Sequence, residues 1–171
     1  KARKRRITTD EMQTVIASLG YKKGQKVRNT KHIVAWSFLF AIETAMRQGE
    51  ILGIQPQHVF DKHIHLPKTK NGESRDVPLT NEAIEMLKCV NFPLEVKRNA
   101  FRLAWDRALK KTDIVNLNFH DTRHEAISRF VKNKGLPVEI LMKITGHKTP
   151  KVLINTYYNP TIDELSDMLN N

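Results

Sequence analysis

Arg47 and Arg123 lie 76 residues apart, and each carries a planar guanidinium fork that matches two oxygens of a phosphate and stays charged at any useful pH. In the stretch HDTRH, His120 and His124 stand one helical turn apart, the spacing of paired zinc ligands, and His147 is available as a third. Read that way, the chain is a zinc-dependent hydrolase. Against this, Asp121 follows the first histidine where such hydrolases carry glutamate, and Arg123 between the two ligands would repel a dication. Tyr157 and Tyr158 are adjacent. A phenol ordinarily titrates near 10, so at neutral pH either tyrosine needs a base or cationic surroundings to act as a nucleophile. His63 and His65 alternate along an apolar stretch and read as a solvated strand face.

The chemistry these groups suit is that of a polyanion. Twenty-nine Lys and Arg against eighteen Asp and Glu leave a net charge of +11, and the pI is about 9.9, a footprint for nucleic acid. A basic membrane-surface protein would line its cations along one amphipathic helix, whereas here they are spread along the chain. Arg98, Arg102, Arg107, Lys110 and Lys111 are expected to face phosphate from one basic helix. If about six to ten phosphate contacts form, affinity falls by roughly a thousandfold or more between 50 and 200 mM salt. A non-catalytic DNA-binding regulator is the rival reading, since the helix pair spanning 120–146 has Gly135 and Pro137 in its turn, as in a helix-turn-helix.

Four segments in order add a resemblance. ETAMRQGEIL carries Arg47 and Glu50; PKTKNGESRDVPL carries Lys68 and Lys70; FHDTRHEAISRF carries His120, Arg123 and His124; ITGHKTPKVLINTYYNP carries His147 and the two tyrosines. Together they resemble the boxes of the tyrosine recombinase (phage integrase) family, catalytic domain. The family's tyrosine usually lies nine residues after the histidine of the last box, while Tyr157 lies ten after His147 and Tyr158 eleven. A one-residue insertion explains this, and Tyr157 is the preferred nucleophile with Tyr158 as the alternative.

The resemblance implies a site-specific DNA recombinase or integrase of a phage or other mobile element, using no metal, ATP or other cofactor. It cleaves and rejoins strands through a 3′-phosphotyrosyl intermediate. Arg47 and Arg123 would clamp the phosphate, His120 would act as base and Lys70 as general acid, and His147 would hydrogen-bond the phosphate. Glu50 and His124 would stand behind them, with Glu50 orienting a histidine. The family partner is double-stranded DNA, bound by four protomers in the cytoplasm of a bacterial host at the nucleoid. The family's amino-terminal DNA-binding domains are expected to be absent, leaving one catalytic domain over 1–171, with 1–7 as a basic linker and 161–171 as a helix that contacts a neighbouring subunit. A relaxing topoisomerase of related chemistry is a further possibility.

A mainly α fold with a small antiparallel β-sheet must position these groups. Thr8 with Glu11, and Thr161 with Glu164, are capping-box patterns that open amphipathic helices. Residues 31–47 read as a core helix, apolar nearly all round. The apolar run 33–46 is too short for a bilayer and is broken by Glu43. Around 58–79 the period shortens to two. Asn71-Gly72 predicts a hairpin turn there, with Val59 and Phe60 as a third strand. Helices are further expected from Thr80 to Pro93, over 96–109, from His120 to Gly135, and from Pro137 to Gly146. Cys89, the single cysteine, is expected half-buried and fits a reducing compartment.

Overall fold

The computed structural model describes residues 3–68 and 72–171. Its helices are α1 (Thr9–Ser18), α2 (Thr30–Thr44), α3 (Gln48–Leu52), α4 (Asn81–Leu87), α5 (Arg98–Lys110), α6 (Asp121–Lys134), α7 (Val138–Thr145), α8 (Lys151–Tyr157) and α9 (Ile162–Asn170). Between α3 and α4 lie a 3-10 turn, Pro56–His58, and two antiparallel strands, β1 (His63–Leu66) and β2 (Arg75–Pro78). The expected α+β class is what the chain adopts.

Helix α2 is the centre of the molecule because its sequence leaves it no polar face. Trp36, Phe38 and Phe40 are all fully buried, each stabilising the fold by about 1.5–3 kcal/mol relative to exposure. The Trp36 indole N–H still finds a partner, the Met86 carbonyl at 2.9 Å. Phe38, Phe101, Trp105 and Phe119 form an aromatic cluster that fixes α5 and the approach to α6 against α2. A second, smaller core joins Ala126 and Ile127 of α6, Leu141 of α7 and Leu153 of α8 to Ala45. The candidate site residues occupy the seam between these two cores.

Several boundaries differ from expectation. Helix α2 ends at Thr44, not near Arg47: the Thr44 hydroxyl donates back to the Phe40 carbonyl at 2.8 Å and accepts from Met46 N at 3.2 Å. Ala45 then turns left-handed, with φ of 62°, a conformation that costs a non-glycine residue roughly 1–2 kcal/mol. Helix α4 stops at Leu87, well short of Pro93. Lys151–Tyr157 forms a short helix that was not among the expected ones. The third strand reduces to a single bridge between Val59 and Ile64.

The strand register has a consequence for the site. Ile64 pairs with Val77 and Leu66 with Arg75, so alternation puts Arg75 on the inner face beside Val77. Of the predicted turn, Asn71 lies outside the described residues, while Gly72 has the positive φ of 79° that a tight turn needs.

Candidate active site

The corner between α2 and α3 is built on one carboxylate. Glu50 Oε1 accepts from the Arg47 backbone N–H at 2.9 Å, closing the first turn of α3, and Glu50 Oε2 lies 3.6 Å from the Arg47 guanidinium. Arg75 reaches the same carboxylate with both prongs, at 2.6 and 3.1 Å. Burial alone would raise the Glu50 pKa, but the Arg75 hydrogen bonds, the Arg47 amide and the two cationic charges together lower it. The expectation that Glu50 orients a histidine is therefore corrected: it orients two arginines, whose forked donors match both carboxylate oxygens. Arg75 was not anticipated. Its signal was the alternation of Arg75 and Val77 in β2, which directs an arginine towards the core.

Arg123 is held differently. Its side chain is buried and donates to the Ala45 carbonyl at 2.6 Å and to the Thr145 carbonyl at 2.9 Å. These carbonyls end α2 and α7, where helix dipoles present partial negative charge. The left-handed turn at Ala45 thus sets the direction of a carbonyl that receives the guanidinium. Burial, followed by the charges of Arg47 and Arg75, presses the Arg123 pKa down to about 9, which leaves it protonated at pH 7. The charges of Arg47 and Arg75 both act on Arg123, and those two arginines share the Glu50 carboxylate.

His147 follows the left-handed Gly146 that ends α7. Its Nδ1 lies 2.6 Å from the Thr145 hydroxyl. Burial and the charges of Arg123, Arg47 and Arg75 lower its pKa to about 4, so the imidazole is neutral at physiological pH. When the Thr145 hydroxyl donates to Nδ1, the ring proton resides on Nε2 and is available to an anion.

The two tyrosines at the end of α8 go separate ways. The Tyr157 hydroxyl lies 2.9 Å from His124 Nδ1, with the rings 5.1 Å apart. Burial pushes the Tyr157 pKa up to about 12, partly offset by Arg123 and Arg6. The Tyr158 hydroxyl instead donates to the Leu136 carbonyl. A cleft of about 220 Å³ contains Tyr157, Arg123, His147, His124 and His120. Its neighbour, a groove of about 630 Å³, shares His120 and is lined by Arg98, Arg102 and Gln48. His120 is exposed where the two meet.

The five basic residues grouped on one helix do not share a face. Arg98 and Arg102 border the groove beside His120, whereas Arg107, Lys110 and Lys111 rim a separate groove against Leu19 and Leu103. At about 100° per residue, Arg98 and Arg107 point to opposite sides of α5. Gly49 admits the first of these: a Cβ there would stand 2.8 Å from an Arg98 guanidinium nitrogen. Lys70 lies outside the described residues, whereas Lys68 lies within them, just after β1. Among the described residues no three His, Cys, Asp or Glu gather as a metal site, and His124 of the supposed zinc pair has its Nδ1 on Tyr157.

Two arginines, a half-buried neutral histidine and a phenol in one seam agree with the sequence match to the phage integrase family, which covers residues 4–91 and 93–164. The chain belongs to the phage integrase family. A shufflon-specific DNA recombinase of Escherichia coli is 43% identical over 123 residues, covering 68% of this chain and 32% of its own. A Haemophilus influenzae protein named as an integrase/recombinase is 35% identical over 178 residues, covering 99% of this chain and 57% of its own. The chain thus spans between 32% and 57% of the curated relatives it matches. Among solved structures, the Tn1549 transposon integrase bound to transposon right-end DNA superposes with a TM-score of 0.71 at 16% identity, over 99% of this chain and 66% of that one. The catalytic domain of bacteriophage HP1 integrase superposes with a TM-score of 0.66 at 20% identity, over 98% and 95% of the two chains. These likenesses establish the fold.

Proposed function

We propose that this chain is the catalytic domain of a site-specific DNA recombinase that cuts and rejoins strands through a 3′-phosphotyrosyl bond to Tyr157, without metal or ATP. The observation that carries the reading is the meeting of the Tyr157 hydroxyl with Arg123 and His147 in one cleft, while Tyr158 is tied to Leu136. Arg123 and Arg47 stabilise the charge that builds on the non-bridging oxygens, a contribution of ~2.7–4 kcal/mol for a preorganised donor. The Tyr157 oxygen forms the new bond to phosphorus and the bond to the 5′ oxygen breaks.

The phenolic proton needs an acceptor, and the imidazole in contact is His124, which takes the place first given to His120. His120 stands at the junction of cleft and groove, placed to contact the phosphate from the groove side. Lys70 is the family-based donor to the departing 5′ oxygen. His147 offers a neutral donor. Arg98 and Arg102 supply cations for the duplex along the adjoining groove. The names of the relatives, a shufflon recombinase and a transposon integrase, favour a mobile-element context and a DNA partner.

Residues 1–171 are read as one catalytic domain, assembled as a tetramer on DNA. Helix α9 is the proposed inter-subunit element: it buries none of its own residues, and Ile162, Met168 and Leu169 are 78%, 65% and 86% exposed. The test is incubation with a nicked suicide duplex. A covalent protein–DNA band that survives chelation and disappears with Tyr157→Phe supports the proposal. A band that instead needs Tyr158 moves the nucleophile by one residue, and one that neither substitution affects removes the mechanism.

A further inference from the structure

Of the basic run near the start of the chain, Arg3 and Arg6 are tied to the body of the fold. Arg3 donates to both oxygens of Asp121, at 2.8 and 2.9 Å, and to the side-chain and backbone oxygens of Asn116 at 3.1 and 2.6 Å. Asp121 also accepts from Asn118 N at 2.8 Å, so one carboxylate ties this arm to the turn that leads His120 into α6. Arg6 donates to both oxygens of Glu125, at 2.8 and 3.2 Å, and Ile7 N adds a third bond at 2.9 Å. Arg129 completes the ring on Glu125 at 2.6 Å.

Both acids are almost wholly buried, each with a side chain 2% exposed. They stand one turn apart on α6 and bracket Arg123 and His124. Burial favours their neutral forms, yet the arginine hydrogen bonds keep both ionised. A buried carboxylate deprived of its cation must take up a proton or turn towards water, and either moves the helix that bears it. Arg3 further borders the cleft that holds Tyr157, and the Arg6 charge is felt at both Tyr157 and His124.

We propose that Arg3 and Arg6 are positioning residues for strand cleavage, acting through Asp121 and Glu125 to hold the start of α6 so that His120 and His124 meet Tyr157 and the phosphate. The inference rests on Tyr157 being the nucleophile. Its alternative is that Arg3, with a side chain 37% exposed, leaves Asp121 to contact DNA phosphate directly.

The experiment compares Arg3→Ala and Arg6→Ala with Arg3→Lys and Arg6→Lys, reading three quantities: single-turnover cleavage of the nicked duplex at saturation, duplex Kd, and amide hydrogen exchange. Positioning predicts a cleavage rate lower by roughly tenfold to a hundredfold, with Kd changed by less than about twofold. The lysine variants recover part of the rate. Exchange quickens over residues 118–125 and not in α2. An unchanged saturating rate with unchanged exchange overturns the proposal; so does a weaker Kd with a shallower salt slope and an intact rate, which makes Arg3 a DNA contact. Should an alanine variant fail to fold, its lysine counterpart carries the same comparison. If the unaltered protein forms no covalent product, the cleavage reading fails instead, and exchange over 118–125 still decides whether the arm holds α6.

Discussion

Arg123 illustrates why side-chain identity matters more than charge here. Its two prongs serve two carbonyls in fixed directions, which a lysine ammonium cannot copy. Arg123→Lys is expected to lower single-turnover cleavage by about 10²–10³ and to leave one buried carbonyl without its donor. His147 gives a pH-dependent counterpart. Its folded pKa of about 4 lies below the ordinary 6.5, so the unfolded chain binds the proton more readily between those values. The contribution of His147 to stability is therefore complete above pH 6.5 and declines as pH falls towards 4. Imidazole NMR should show His147 neutral at pH 6 in the free protein, with a pKa that rises when duplex DNA brings an anionic phosphate. A His147 that titrates near 6.5 in the free protein contradicts the half-buried, arginine-flanked environment.

Elements were legible where a local device marks them. The Thr8–Glu11 and Thr161–Glu164 boxes both form with reciprocal hydrogen bonds, and α2 reads as core because its charged residues, Lys31 and Glu43, stand only near its ends. Helix α8 was missed because it is short and buries only Leu153, too little for a periodic signal. The end of α2 was misplaced because a threonine back-bond and a left-handed alanine, neither strongly marked in sequence, stop it. Partners at long range were the hardest to read: nothing in Glu50 alone says that it serves Arg75 and not a histidine, since that pairing depends on how a hairpin docks. Gly146 lies where these elements meet. Its φ is +80°, and a Cβ would stand 3.0 Å from the Arg75 side chain. Gly146→Ala is expected to destabilise the fold by about 1–3 kcal/mol, measured as a lower Tm, and to loosen the Arg75–Glu50 pair, with cleavage falling more than stability explains.

Across the whole molecule, several of the basic side chains are already paired with acids. Of the 29 Lys and Arg, Arg3, Arg5 and Arg6 are bonded to Asp121, Glu11 and Glu125, and Arg75 to Glu50. The groove beside His120 presents Arg98 and Arg102. Helix α9 is the other whole-molecule feature. Because it buries none of its residues, deleting 161–171 is expected to change monomer stability by no more than about 0.5 kcal/mol. The same deletion should reduce higher-order assembly on DNA in sedimentation or mobility-shift measurements. A large fall in Tm would show instead that α9 folds back on its own core.

The carbonyls that hold Arg123 carry a last implication. A peptide oxygen does not titrate, so the hold on this cation does not depend on the protonation of a partner side chain. Arg75 is paired with a carboxylate, whereas the Arg123 guanidinium is held by two peptide carbonyls, which carry no full charge. A phosphodiester arriving there would meet a cation whose direction the backbone has already set.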